Sequence, residues 1–99
     1  MMIREFFLGF IKIHTLYHAS KGGICGIEII KELKRHGYAV SPGTLYPTLH
    51  ALERDGYLKS RMLVIHGKRR RYYKATKKGI SVLKKSRERL RELVEEVME

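Results

Sequence analysis

The sequence predicts a mainly α-helical fold with one small antiparallel β-hairpin and a final helix after it. Apolar residues recur at spacings of three and four along most of the chain, as they do on the buried faces of helices. One stretch, residues 57–76, instead carries β-branched and aromatic residues on either side of a glycine, which is typical of a hairpin. With 99 residues, of which 43% are apolar, the chain has room for one small core and not for two domains.

The first predicted helix runs from Ile3 to about His18. One stripe of apolar side chains consists of Phe6, Phe10, Ile13 and Tyr17, and further apolar surface beside it comes from Phe7, Ile11 and Leu16. A helix that is apolar on more than one side needs two burial partners. We expect the domain's own core on one side and a second subunit on the other, because so small a domain rarely surrounds a helix.

A turn is predicted in SKGGICG, residues 20–26, and a second amphipathic helix after it. Its buried face is predicted to consist of Ile27, Ile30 and Leu33. Gly37 is placed to end this helix in the left-handed conformation that glycine adopts without strain.

The third predicted helix lies in SPGTLYPTLHALERDG, residues 41–56. Ser41 is a good N-cap, and Pro42 suits the first helical position, where its missing N–H costs nothing. The core-facing residues of this helix are Leu45, Leu49 and Leu52, and Gly56 closes it. The outward-facing residues are Gly43, Pro47, His50 and Arg54, with Thr44 and Tyr46 on the flanks. Near its start this outward face has no Lys or Glu, unlike an ordinary solvated face.

Pro47 falls inside this helix, where a proline ordinarily costs on the order of 3 kcal/mol. Its missing donor would have bonded the carbonyl of Gly43. That carbonyl belongs to an outward-facing glycine, so water or a ligand can satisfy it. We expect the first turn to be loosened or slightly kinked, and this end of the helix to be a docking surface.

The predicted hairpin turns at Gly67 and Lys68 in a type II′ loop, which would place Ile65 opposite Arg70. Tyr72 and Tyr73 should alternate, one in the core and the other exposed. Thr76 can cap the final helix, whose seam consists of Ile80, Leu83, Arg87, Leu90, Val94 and Val97. This helix could fold back on its own domain or pair with a second copy; the spare face of the first helix favours the dimer.

Positive charge is concentrated in one part of the chain. The formal net charge is +11, and residues 56–87 contain no acidic side chain. The basic residues of that window are Lys59, Arg61, Lys68, Arg69, Arg70, Arg71, Lys74, Lys77, Lys78, Lys84, Lys85 and Arg87. Such a concentration indicates a polyanionic partner, and the run at the hairpin turn is its densest part.

Three helices followed by a basic hairpin form the winged helix-turn-helix plan. In that plan the third helix enters the major groove of DNA and the hairpin lies along the backbone or in the minor groove. The start of the helix would present free N–H groups to phosphates, with hydroxyl donors from Ser41, Thr44 and Tyr46. We therefore expect a winged helix-turn-helix unit in residues 1–76 and a dimerisation helix in residues 77–99, both parts of one compact unit.

Other classes of function have little support in the sequence. There are no paired carboxylates, no nucleophile with a base and no phosphate-binding glycine loop, so we expect no catalysis and no cofactor. His14 and His18 have a spacing that can bind a metal, but no third ligand is near in the sequence, so no metal is expected. FFLGFI is too short to span a bilayer, and the single Cys25 cannot form an internal disulfide. These features favour a cytoplasmic location.

SPGTLYPTLHALERDGYL and RRYYKATKKG, together with the upstream FFLGFIKIHTLYHASKGGICGIEIIKEL, strongly resemble the PadR family of prokaryotic transcriptional regulators in its short form. The chain departs from the family at Ile27, where a tyrosine often follows the glycine. The resemblance implies a homodimer, built through the first and last helices, that binds a pseudo-palindromic operator in double-stranded DNA and usually represses transcription. It also implies DNA contacts by Ser41, Pro42, Gly43, Thr44, Tyr46, Pro47 and His50, and by Lys68, Arg69 and Arg70 of the wing. The implied dimer interface consists of Phe6, Phe10, Ile13, Tyr17, Leu83, Leu90, Val94 and Val97.

Members of the family often release DNA when a small aromatic or drug-like compound enters the dimer interface, and the sequence identifies no such compound. Two other interpretations of the basic winged helix stay open. One is a module that binds RNA or the ribosome, and the other is a protein-interaction module whose charge serves solubility.

Overall fold

The computed structural model describes residues 2–99 and contains four α-helices and a three-stranded antiparallel sheet of strand order β1-β3-β2. The elements are α1 (Met2–Lys21), β1 (Ile24–Cys25), α2 (Gly26–Arg35), α3 (Pro42–Arg54), β2 (Leu58–Ile65), β3 (Lys68–Ala75) and α4 (Lys77–Val97). The predicted fold class is confirmed, because three helices precede a β2–β3 hairpin and one helix follows it. Within residues 2–99, none of the helices has an apolar stretch of the length that a membrane crossing requires.

One hydrophobic core lies between the helices and the base of the sheet. Its buried members are Ile11, Leu16, Ala19, Ile29, Leu33, Leu45, Leu49, Leu52, Leu58, Tyr73 and Leu83. Helix α1 therefore buries the side beside the predicted stripe, and Phe6 and Tyr17 of the stripe remain 61% and 39% exposed. Phe10 and Ile13 of the stripe are half-buried, so residues 2–99 cover only part of this second apolar side of α1.

The buried face predicted for α2 is wrong in part. Ile29 and Leu33 are each 1% exposed, whereas Ile27 is 40% exposed. Ile29 and Leu33 are four residues apart and share one side of the helix, while Ile27, two positions before Ile29, points roughly 160° away from it. Gly37 ends the helix as predicted: its φ is 92°, and the Tyr38 N–H donates to the Leu33 carbonyl at 2.9 Å.

Helix α3 begins and ends where the sequence predicted. Ser41 is the N-cap, and its hydroxyl oxygen accepts a hydrogen bond from the Thr44 N–H at 3.3 Å. Gly56, with φ of 85°, follows the last turn, and the Tyr57 N–H donates to the Leu52 carbonyl at 2.9 Å. The helix continues through Pro47 to Arg54.

The sheet differs from the prediction in two places. The segment predicted as a turn, residues 20–26, contains strand β1, which pairs with β3 through Ile24 opposite Tyr73. The hairpin turns at His66 and Gly67, so Ile65 pairs with Lys68 and not with Arg70. Both turn residues have positive φ, 52° and 74°, which makes a type I′ turn with glycine in its usual second position.

Because of this register Tyr73 is buried in the core, as the alternation predicted for one of the two tyrosines. Burial raises the pKa of Tyr73 above its usual value, so its phenol stays neutral. Tyr72 is half-buried rather than exposed, because it lies opposite Cys25 of the additional strand.

The sequence left open whether α4 folds back on its own domain or extends to pair with a second copy, and the structure shows the first arrangement for the start of the helix only. Its first turns pack on the core, where Gly79 and Leu83 are buried, and Thr76 caps it by accepting from the Gly79 N–H at 3.0 Å. The later turns extend past the core, leaving Val94 and Val97 54% and 67% exposed. The assignment of Leu83 to a dimer interface is corrected: at 3% exposure in its own protomer, it has almost no surface left for a partner.

Candidate nucleic-acid interface

The start of α3 is held in place by its own polar side chains. The Ser41 hydroxyl donates to the Thr44 hydroxyl at 3.3 Å, and the Thr48 hydroxyl donates to the Thr44 carbonyl at 3.0 Å. Leu45 and Leu49 fix the opposite side of the helix in the core at 0% exposure. The residues predicted to contact DNA therefore lie on a firmly supported outward surface: Ser41, Pro42, Gly43, Tyr46, Pro47 and His50 are exposed, and Thr44 is half-buried.

Tyr46 is positioned by a close approach between α3 and α2. A Cβ atom placed on Gly26 would lie 2.6 Å from the Tyr46 hydroxyl oxygen and 2.8 Å from two ring carbons. Only glycine leaves room for the ring there, since carbon atoms in contact are normally about 3.5–4.0 Å apart. The ring thus rests on the backbone of α2 while 36% of the residue stays exposed.

The wing and the recognition helix, α3, line one groove. This groove has a volume of about 240 Å³ and is bounded by Tyr46 from α3, by the first residues of α2 and by wing residues that include Arg69 and Arg70. The structure thus brings together three of the residues predicted to contact DNA from two separate elements. Lys68 lies at the turn of the wing outside this groove, and His50 lies further along the exposed side of α3.

Sequence reasoning missed Arg71, which also lines the groove. Its guanidinium donates to the Ser60 hydroxyl at 3.1 Å, and that hydroxyl donates to the Glu53 carboxylate at 2.7 Å. These bonds join β3, β2 and the recognition helix, so they set the angle between wing and helix. The sequence shows Arg71 only as one member of a basic run, because the bond to Ser60 depends on the strand pairing.

The wing carries positive charge that forms no ion pair with carboxylates in the part of the chain that the structure describes. Among residues 2–99 the ion pairs are His18 and Arg35 with Glu32, Arg54 with Asp55, and Arg89 with Glu92, so none involves the wing. On its outer face Lys59 lies directly opposite Lys74, a like-charge pair that opposes folding. A polyanion would remove this repulsion on binding.

The end of α3 is locked to the start of α4. The Thr76 hydroxyl donates to the Gly56 carbonyl at 2.6 Å, and the Thr76 N–H donates to the Tyr57 carbonyl at 3.1 Å. The Lys78 ammonium donates to the Asp55 carbonyl at 2.8 Å and lies 4.8 Å from the centre of the Tyr57 ring. The direction of α4 is therefore coupled to that of the recognition helix.

The residues predicted for a dimer interface occupy neighbouring surfaces of α1 and α4. Ile13 and Leu90 line a shallow, largely apolar hollow of about 340 Å³ between these helices. The Arg87 guanidinium lies 6.0 Å from the centre of the Tyr17 ring and links the same two helices. The other predicted interface residues are placed as follows: Phe6, Val94 and Val97 are exposed, and Phe10 is half-buried.

Known proteins resemble this chain over nearly its whole length. The "Transcriptional regulator Rv3488" of Mycobacterium tuberculosis is 48% identical over 97% of this chain and 90% of its own. A crystal structure of a PadR-like transcription factor from Bacteroides fragilis is 31% identical, with a TM-score of 0.83 over 97% of this chain and 94% of that one. Bacillus subtilis PadR in complex with operator DNA shares the fold, with 24% identity and a TM-score of 0.65 over 77% of this chain and 46% of that one.

The model of the PadR-like family of transcriptional regulators matches residues 15–85, which include the recognition helix, the wing and the start of α4. Sequence identity and fold similarity extend over the same elements that form the groove. This chain therefore belongs to the PadR-like family of transcriptional regulators and is not an enzyme.

Proposed function

We propose that this regulator binds a pseudo-palindromic operator in double-stranded DNA as a homodimer and represses transcription. The observation that carries the proposal is the groove in which Tyr46 of the recognition helix meets Arg69 and Arg70 of the wing. A tyrosine hydroxyl and guanidinium groups are donors to phosphate oxygens, and arginine at a wing also fits a narrow minor groove. The Bacillus subtilis protein of the same fold has been solved with operator DNA, which supports DNA as the partner. Operator DNA lies in the cytoplasm of a prokaryotic cell, so we propose that the protein acts there.

The proposal of a homodimer follows from the uncovered apolar faces of α1 and α4. Phe6, Val94 and Val97 are more than half exposed and belong to helices that pack against each other. Isolated exposed apolar residues are normal, but several of them on two helices that pack together indicate an interaction surface. A second copy would cover both helices and give the two-fold symmetry that a palindromic operator requires.

Operator binding can be tested on fragments selected from genomic DNA and on DNA upstream of the gene. Tyr46→Ala and, separately, the double variant Arg69→Ala with Arg70→Ala should weaken binding in gel shifts while leaving helical content intact. Loss of two phosphate contacts should lower the slope of log affinity against log salt by about 1.8. The matched control, Lys12→Ala with Lys84→Ala, removes the same charge from exposed positions on α1 and α4. If both groove variants bind like this control, the docking surface is wrong.

The dimer can be tested by light scattering of a variant that carries Leu90→Asp and Val94→Asp. Two buried unpaired carboxylates would oppose association strongly, so the mass should fall to that of one chain. The corresponding control places Asp at Ser81 and Lys84, on the exposed positions of the first turns of α4. An unchanged mass for the first variant would remove α4 from the interface.

We also propose that a small aromatic or drug-like effector releases the protein from its operator. The hollow beside Ile13 and Leu90 lies at the proposed interface and is large enough for part of a small aromatic compound. A compound that binds there should lower operator affinity and lose its effect when Leu90 is changed to Trp to fill the hollow.

The same binding assays distinguish the other two interpretations of the basic winged helix. Equal affinity for duplex RNA or for unrelated DNA would instead favour the RNA-binding interpretation, and a salt-insensitive interaction would favour a protein partner.

A further inference from the structure

Four side chains at the contact between α1 and α2 form a cluster that the proposed function does not use. His14 and His18 lie one turn apart on α1, and Glu32 and His36 lie one turn apart at the end of α2. In the sequence only His14 and His18 have the spacing of metal ligands, and no third ligand is near them. In the structure Glu32 and His36 face this pair across the contact between α1 and α2.

One distance between the imidazole rings is close to that at a shared ion. The ring centres of His14 and His36 are 5.0 Å apart, and those of His14 and His18 are 5.9 Å apart. Two imidazoles on one tetrahedral Zn²⁺, with Zn–N bonds of about 2.0–2.1 Å, have ring centres roughly 5 Å apart. The Glu32 carboxylate lies 3.8 Å from His18 Nε2, so an oxygen ligand is beside the rings.

The hydrogen bonding of His14 also indicates a ligand. Its Nδ1 atom is buried and has no hydrogen-bond partner among residues 2–99. A buried polar atom without a partner is costly, and native proteins seldom leave one without a role. The ring is held at this position by Phe10, whose ring centre is 5.1 Å away in an edge-on arrangement.

We infer that His14, His18 and His36, with Glu32 as the fourth ligand, form a binding site for a divalent transition metal ion of the Zn²⁺ class. Three nitrogen ligands and one carboxylate suit Zn²⁺, Co²⁺ and Ni²⁺ better than Mg²⁺ or Ca²⁺, which prefer oxygen. In the side-chain conformations of residues 2–99, no three such groups already surround one point. Binding therefore requires the imidazole rings to turn, and it requires Arg35, now 3.0 Å from the Glu32 carboxylate, to swing away.

Arg35 and His36 have room to make these movements. Arg35 is 68% exposed and the Glu32 side chain 33% exposed, so the guanidinium can leave into solvent. His36 is the C-cap residue of α2 and is exposed, so its ring can rotate without disturbing the core. His14 already faces His36, and His18 already faces Glu32, so the proposed rearrangement is one of side-chain torsions.

The experiment titrates the metal-free protein of residues 1–99 with Co²⁺ and Zn²⁺ and follows the visible absorption of Co²⁺ and the heat of binding. The wild type should bind one ion per chain and give the intense visible bands of tetrahedral Co²⁺, and Mg²⁺ should not compete. His14→Gln and His36→Gln should each weaken binding more than about tenfold, since even groups that only orient ligands contribute 10- to 100-fold. The control changes the two histidines outside the cluster, His50→Gln with His66→Asn, and should bind like the wild type.

Circular dichroism of each variant separates ligand loss from unfolding, and Glu32→Gln provides a second, milder variant that keeps the size of the side chain. Retention of wild-type Co²⁺ affinity by folded His14→Gln and His36→Gln would overturn the site. So would loss of binding in the His50 and His66 control, because the ion would then lie near the wing. An absence of tetrahedral bands at one Co²⁺ per chain would equally reject the proposed ligand set.

Discussion

A methyl group added at Gly26 should damage DNA binding more than folding. In Gly26→Ala the new Cβ would meet the Tyr46 hydroxyl oxygen at 2.6 Å and two ring carbons at 2.8 Å. Ordinary contacts are about 3.5–4.0 Å, so the ring has to retreat by roughly 1 Å. The backbones of both helices resist movement, since Cys25 N–H donates to the Glu28 carboxylate at 3.1 Å and Leu45 is buried in the core.

The ring can retreat into solvent because Tyr46 is 36% exposed. The free energy of unfolding should therefore fall by less than the roughly 1–3 kcal/mol typical of an overpacked core. A shift of about 1 Å removes the hydroxyl from hydrogen-bonding range of a phosphate, and a hydrogen bond to a charged group contributes about 1.5–3 kcal/mol. Operator affinity should accordingly fall about tenfold or more.

The assay is a double-mutant cycle of operator affinity, measured by fluorescence anisotropy at fixed salt, with urea unfolding of the same proteins. In a Tyr46→Ala background, Gly26→Ala should have almost no further effect on affinity, because the ring it displaces is gone. Gly23→Ala is the matched control: its added methyl would make only ordinary contacts, the nearest at 3.7 Å. The reasoning fails if Gly26→Ala binds like Gly23→Ala, or if it costs as much affinity without the tyrosine as with it.

Two further substitutions test how the helices are built. Gly79→Ala should destabilise the fold by about 1–3 kcal/mol or more, since its Cβ would overlap the Tyr57 carbonyl oxygen, a backbone atom that cannot swing away. Apart from neighbouring residues of its own helix, no atom of the described residues lies within 4 Å of a Cβ added at Gly9, so Gly9→Ala should raise the free energy of unfolding by up to about 1 kcal/mol. Urea unfolding that ranks the two variants the other way would contradict this. Pro47→Ala should leave stability unchanged or raise it, because it restores a donor for the Gly43 carbonyl, while weakening operator binding in gel shifts; a loss of stability would count against a docking role for the proline.

Most of the fold could be predicted because its signals are local. Ser41 and Thr76 cap α3 and α4 as expected, and Gly37 and Gly56 end their helices with positive φ. Each of these depends on hydrogen bonds within one turn of helix, so neighbouring residues suffice to specify them. The winged helix-turn-helix plan and the basic wing followed from the same local patterns.

The errors arose where a choice depended on distant segments. Strand β1 forms only because β3 lies beside it, and two residues carry no strand pattern of their own. The wing turns at His66 and Gly67 because pairing along the whole of β2 and β3 outweighs the preference of a single glycine for the first turn position. Arg71 and Ser60 became recognisable as positioning residues only with that register.

The sequence by itself determined the family, the helix ends and the localisation of positive charge, since each depends on residues that are neighbours along the chain. Only the tertiary structure decided which side of each helix the core would cover, leaving Ile27 exposed and Leu83 buried. It alone brought Tyr46 to the wing and placed His36 beside His14. These arrangements join residues far apart in sequence, and their positions depend on how whole helices pack, which local propensities do not specify.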